Sequence, residues 1–200
     1  MRIALASLLL VAAAACSSKP PDDRTYVQQV MKERADKDAF LQRSDDPIPA
    51  NRKSQFLPLA YFSVDPDFNV PATLKPQDDP AIYPIQTSTG TPRQMKRVGS
   101  LEFVLKGQPM KLTVFVEAAA SSLDHLLVLF SDLTSGTETY AAGRYIDLDR
   151  NATGAYQLDF NRAYQPYCYY NESYECPYPP RENRLPIPIR AGERLKRPNT

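Results

Sequence analysis

Proline placement constrains this chain more than any other feature. None of its 19 prolines falls between Pro109 and Pro166. Proline cannot donate to a β-ladder and is excluded from central strands, so that window is expected to hold the central strands of a sheet. The proline-studded flanks are expected to be edges, loops and coverings.

Hydrophobic alternation agrees with this map. Leu101, Phe103 and Leu105 share one face of "SLEFVLKG", and after a turn at Gly107, Met110, Leu112, Val114 and Val116 share one face of "PMKLTVFVEA". That pattern predicts a hairpin. "HLLVLFSD" and "TETYAAGRYIDL" flank "LTSG" as a second predicted hairpin, and "AYQLDFNRAY" alternates at Tyr156, Leu158 and Phe160. "PLAYFSV", "FNVPATL" and "AIYPIQT" read as three shorter strands. The sum is a mainly β domain over 25–200, an antiparallel meander barrel or sandwich of about eight strands.

One segment breaks the pattern. "TYVQQVMKERADKDAFLQRSDDP" predicts an N-terminal helix ending before Pro47, with Thr25 as cap and Tyr26, Val27, Val30, Met31, Arg34, Asp38 and Leu41 on its inner stripe. Its charges, Glu33, Arg34, Asp36, Lys37 and Asp38, read as a solvated face with stabilising pairs at helical spacing.

The first residues set the compartment. In "MRIALASLLLVAAAAC", Arg2 precedes an apolar run too short to span a bilayer, as in a secretory signal peptide over 1–15. Ala13, Ala14 and Ala15 before Cys16 resemble a bacterial lipobox, which implies diacylglycerol on Cys16 and a polar tether over 16–24. An A-x-A secretory cleavage site can also be read there. Ser17 after the cysteine points to the periplasmic face of the outer membrane. Loss of the leader removes one base and no acid from 24 basic and 23 acidic residues, leaving 23 of each. Neutrality without a basic stripe argues against nucleic acid and leaves lipid as the membrane contact.

With Cys16 acylated, Cys168 and Cys176 remain, an even pair in an oxidising compartment and so an expected disulfide. The spacing is not that of a C-x-x-C redox motif. His125 is the sole histidine, which removes histidine-rich zinc sites and leaves no evident catalytic triad. No phosphate-binding loop, dinucleotide fingerprint or EF-hand loop is present, and no cofactor is implied.

Two segments point to a close approach of chain on chain. Ala141, Ala142 and Gly143 leave "TETYAAGRYIDL" without bulk beside Glu138 and Arg144, and either a ligand or the C-terminal segment could lie there. In "ENRLPIPIRAGE", Pro186 and Pro188 lose donors on one side only, which suits an edge strand or a polyproline covering. "FSDLTSGTETYAAGRYIDL" followed by "LDFNRAYQPYCYYNESYECPYPPRENRLPIPIRAGE" resembles the signature half of the bacterial domain-of-unknown-function family 1684. "YVQQVMKERADKDAFL" and "RKSQFLPLAYFSVD" are similar to its N-terminal half. The resemblance implies an envelope-associated protein and no established activity. Tyr167, Tyr169 and Tyr178 depart from the smaller or apolar residues expected there.

Within these blocks Asp159, Asn161, Arg162, Glu182, Asn183 and Arg184, with Glu138 and Arg144, form a candidate polar cluster. Paired carboxylates such as Asp159 and Glu182 could serve acid and base chemistry; arginine pairing with them could instead brace the last segment across the sheet. Three readings follow: a non-enzymatic binding or scaffolding lipoprotein of the cell envelope, with a protein or small ligand as partner; an envelope hydrolase; and a small-molecule carrier with tyrosines at a barrel mouth.

Overall fold

A computed structural model describes residues 23–78, 81–151 and 155–196. The signal segment, Cys16 and the tether up to residue 22 lie outside the described residues. Helix α1 (Asp23–Arg43) is followed by the short helix α2 (Lys53–Phe56) and seven strands: β1 (Asn69–Pro76), β2 (Ile82–Ile85), β3 (Arg93–Leu105), β4 (Gln108–Glu117), β5 (His125–Phe130), β6 (Arg144–Asp149) and β7 (Tyr156–Asp159). Helix α3 (Tyr167–Tyr170) opens the C-terminal covering.

The strands form one antiparallel sheet in the order β6-β5-β4-β3-β1-β7, with β2 beside β3. A bridge between Arg150 and Tyr156 brings β6 back against β7, so the sheet is a nearly closed barrel. The expected class is therefore the observed one, with seven strands in place of about eight. "PLAYFSV" is not a strand, because its neighbour is the C-terminal segment, met by a single bridge from Tyr61 to Glu193. The second hairpin also differs: β6 starts only at Arg144, and Thr134 gathers residues 137–139 onto its carbonyl in a compact loop.

The barrel interior is filled. Leu101, Phe103, Leu105, Leu112, Val114 and Val116 point inward as the alternation predicts. The rings of Phe130 and Phe160 meet edge to face at 5.3 Å, and Phe103 lies 5.9 Å from Phe160. Edge-to-face contacts in a packed core stabilise beyond area burial alone.

Pro71 escapes the proline rule. It sits in β1, between β3 and β7, yet its register partner is Gln157 of β7, and pairing with β3 begins at Ala72. The missing amide donor therefore leaves no gap in the β1–β3 ladder.

Helix α1 buries only Val30 and Leu41, while Met31 is exposed. Thr25 lies inside the helix and is not its cap. Its expected solvated face is in large part its docking face. Arg34 stacks over the Tyr61 ring at 4.4 Å and donates to the carbonyls of Phe62 and Asn161, Asp38 accepts from Leu59 N, and Lys37 reaches Glu193 at 2.6 Å. Charges serve here because the surface beneath presents carbonyls, an amide and a buried carboxylate.

Candidate functional site

The C-terminal segment crosses the sheet and fixes two polar residues inside it. Strands β4 and β5 pair at only one register position, Phe115 with Leu127. The Asn183 side chain fills the opening beyond it, accepting from Thr113 N at 2.7 Å and donating to the carbonyls of Thr113 and Leu129 at 2.8 and 2.7 Å. Chain pairing continues from there, with Ser131 N donating to Asn183 O and Leu185 N to Ser131 O. The donor-free sides of Pro186 and Pro188 stay out of this ladder, as their spacing predicts.

Arg144 is fully buried. Its guanidinium donates to Asp132 at 3.0 Å and to the carbonyls of Ile189, Ala191 and Glu193. Burial pushes its pKa down and Asp132 opposes that fall. The other Asp132 oxygen accepts from Thr134 N and Ile189 N. At Gly143 a Cβ would lie 2.5 Å from Phe130 O and 2.7 Å from Pro179. The protein's own lid thus fills the space against Gly143 and Arg144, while Ala141 and Ala142 line an open recess of about 260 Å³ with Ser131, Tyr178 and Pro179.

Asp159 anchors a second cluster at the end of β7. Tyr26 donates to its carboxylate at 2.8 Å, Asn161 N and Nδ2 add bonds at 2.9 and 3.1 Å, and Arg162 pairs with it. Arg162 also grips Glu33 in bidentate fashion at 2.8 and 2.9 Å. Desolvation, then the negative charge of Asp159, pushes the Tyr26 hydroxyl pKa far above its ordinary value. Glu193 makes a third junction: Lys37, Tyr170 and Gln165 N all bond its carboxylate.

The candidate cluster therefore separates into distinct parts. Asp159, Asn161 and Arg162 come together; Arg144 and Asn183 hold separate points of the crossing; Glu138 pairs with Arg190 at 2.9 Å. Glu182 and Arg184 are exposed, and the structure shows neither paired with Asp159 or with the other. Glu182 faces solvent from a single 3-10 turn over Arg181–Asn183, and Arg184 points out between the buried Asn183 and Leu185. Tyr26, Glu33, Asp132 and Glu193 complete the junctions. None was singled out for this role, and only helical phase, placing Tyr26 on the inner stripe of α1, hinted at one.

The lid packs on the outer face of the sheet through Cys168 and Cys176 with Ile85, Met95, Phe115, Leu129 and Tyr145. The expected disulfide is not formed in this structure: Cys168 and Cys176 are buried free thiols, close enough for Cys168 N to donate to Cys176 Sγ at 3.1 Å. Hydrogen bonding with Cys176 draws the Cys168 thiol pKa down and pushes that of Cys176 up. Beside them Tyr145, Tyr164, Tyr167 and Tyr174 line an open recess of about 280 Å³ flanked by Asp147. Tyr164 donates to Asp147 at 2.9 Å, and Tyr145 to Pro177 O at 2.5 Å. His125, at the start of β5, is exposed and lies 2.5 Å from Asp149. Among the described residues no cluster of His, Cys, Asp or Glu could hold a metal ion, and no described helix is long and apolar enough to cross a membrane.

Fold and junctions together define a small, nearly closed antiparallel β-barrel, strapped by an N-terminal helix and a C-terminal lid. The chain belongs to the family described as protein of unknown function (DUF1684), whose model matches residues 54–194. It is similar to the solution NMR structure of an uncharacterised protein of Haloarcula marismortui, at 35% identity and a TM-score of 0.67, over 86% of this chain and 96% of that one. No curated protein matches it.

Proposed function

We propose that the protein is a non-enzymatic binding domain of the bacterial cell envelope, lipid-anchored through Cys16 at the periplasmic face of the outer membrane. The carrying observation is the saturation of Asp159. Tyr26, Asn161 and Arg162 occupy its two oxygens, so the carboxylate best placed for hydrolytic chemistry has no room for a substrate or an attacking water. A glycosidase-like mechanism needs two carboxyl groups flanking a shared cleft, and Glu182 belongs to a different recess, beside Tyr83 and Arg97. A carrier with its ligand in the barrel lumen is disfavoured by the phenylalanine packing inside. Recognition is assigned to the outer face, where recesses flank the lid.

The lipobox-like start and the balanced charge support the anchoring half of this reading. The test is fractionation of a Gram-negative host expressing the full chain. Wild type is expected with outer membranes, and Cys16→Ala, once its leader is cleaved, in the soluble periplasm. Retention of the cleaved variant in membranes overturns the anchor.

A further inference from the structure

We propose that the recess between β2, β3 and the lid binds a flat organic anion, a ring bearing a carboxylate or phosphate, with Arg97 as its charged anchor.

The argument starts from a bulge. Along β3 the register with β4 shifts between Arg97 and Gly99, with Arg97 opposite Phe115 and Gly99 opposite Val114. An extra residue inverts the alternation on one side of the shift. Leu101 and Phe103 face the core and so does Val98, whereas Met95 joins the outer cluster under the lid. Arg97 shares the parity of Met95 and is therefore delivered to the outer face. Gly99 is required for this, since a Cβ there would collide with the Lys75 carbonyl.

What the bulge delivers is an under-used guanidinium. Arg97 makes one long hydrogen bond, to Thr113 Oγ1 at 3.4 Å, and its Nε is shut off from solvent without an acceptor. Arg34 and Arg144 also leave Nε unpaired, but each commits its terminal nitrogens to carbonyls or a carboxylate. No carboxylate pairs with Arg97 among the described residues. A planar, permanently charged fork in that condition matches a carboxylate or phosphate.

The surroundings set the rest of the ligand. Tyr83 lies 5.9 Å from the guanidinium carbon, and Phe115, Tyr178, Pro179 and Pro180 complete apolar walls suited to a ring face. Arg181 adds positive charge, Glu182 opposes it, and the recess holds about 310 Å³, at the small end of ligand sites. Tyr178 N donates to Gln86 O at 2.8 Å, fixing the lid wall to the end of β2.

This deepens the binding reading above and rests on it, but the two fail separately, since anchoring is read by fractionation and the ligand by titration. The full chain carrying Cys16→Ala, recovered from the periplasm, is titrated calorimetrically with benzoate, phenyl phosphate and glucuronate, and with neutral benzyl alcohol and glucose. Saturable binding of a flat ring anion without its neutral counterpart is expected, and glucuronate, whose ring is puckered, should bind more weakly than benzoate; binding of glucuronate in preference to benzoate counts against the flat-ring proposal. Arg97→Met should weaken binding roughly tenfold or more, and Tyr178→Ala should weaken it with melting unchanged. If Arg97→Met fails to fold, Arg97→Lys, which keeps charge but loses the fork, should show the loss. Absence of ring-anion binding at millimolar concentration, equal binding of the neutral compounds, or binding undiminished in a folded Arg97 variant overturns the proposal.

Discussion

Arg144 and Asp132 face each other at 3.0 Å with no side-chain surface left to solvent. Three carbonyls of the C-terminal segment share the same guanidinium. Removing one member of such a pair strands a buried charge, at a cost of about 3–5 kcal/mol. Arg144→Leu should lower unfolding free energy by that amount in urea, a large share of the stability of a domain this size. Asp132→Leu added to it should cost less than the sum of the two single changes. Additive losses would show that the residues do not act as a pair.

Asn183 is expected to behave as a replacement for missing ladder bonds. Asn183→Ala leaves Thr113 N and two carbonyls unpaired and should cost roughly 2–4 kcal/mol. Asn183→Asp should be worse at neutral pH, because a carboxylate would face the carbonyls of Thr113 and Leu129. Equal stability of the two variants would contradict that geometry.

Gly143 should tolerate no side chain. Its φ is +91°, and a Cβ would press on Phe130 O and Pro179. Gly143→Ala is expected to destabilise by about 2–4 kcal/mol. The melting temperature measures it, and an unchanged value would mean the lid does not close on this position.

Docking of α1 should weaken in acid. Hydrogen bonds from Arg162 hold the Glu33 carboxyl below its ordinary value against partial desolvation. A depressed folded-state pKa contributes stability present above the unfolded pKa and lost as pH falls through the folded one. Asp38, raised by burial, acts in the opposite sense and gains as it protonates. Glu33→Gln should therefore flatten the loss of stability between about pH 5 and pH 3. An acid limb as steep as that of wild type would remove Glu33 from the account.

Cys168 and Cys176 are expected to join in an oxidising envelope. Closing so short a loop contributes about 2.5 kcal/mol in the chain-entropy model. A non-reducing digest of periplasmic protein should yield one linked peptide pair, and reduction should lower the melting temperature. Full alkylation of both thiols in the unfolded, unreduced protein would refute the bridge.

Much of the barrel was legible because its strands obey a period of two, as at Leu101, Phe103 and Leu105. The limits have physical causes. The parity inversion at Gly99 hides in a residue without a side chain, so Arg97 carried no signal. "TETYAAG" alternates poorly and bends into turns around Thr134. Asp159 and Arg162 lie three residues apart, and their pairing was one of several arginine–carboxylate pairings the sequence left open. Tyr26 and Glu193 join their partners across most of the chain, and no local pattern encodes such distances. Solvation of the α1 charges was the natural expectation, because propensity and spacing say nothing about what surface a helix meets.

The polar seam beneath α1 also has a mechanical meaning. A load applied to the chain ahead of Asp23 enters at the first turn, where Tyr26 meets Asp159, and acts next on Glu33 and Arg162, then on Lys37 and Glu193. A load directed away from the barrel would break these contacts one after another, as a zipper opens. Only near Leu41, set among Ile48, Phe56 and Leu57, does the pull reach a hydrophobic knot. The 21-residue helix could thus peel away while the barrel stays closed, adding about 30 Å of reach before any strand is disturbed.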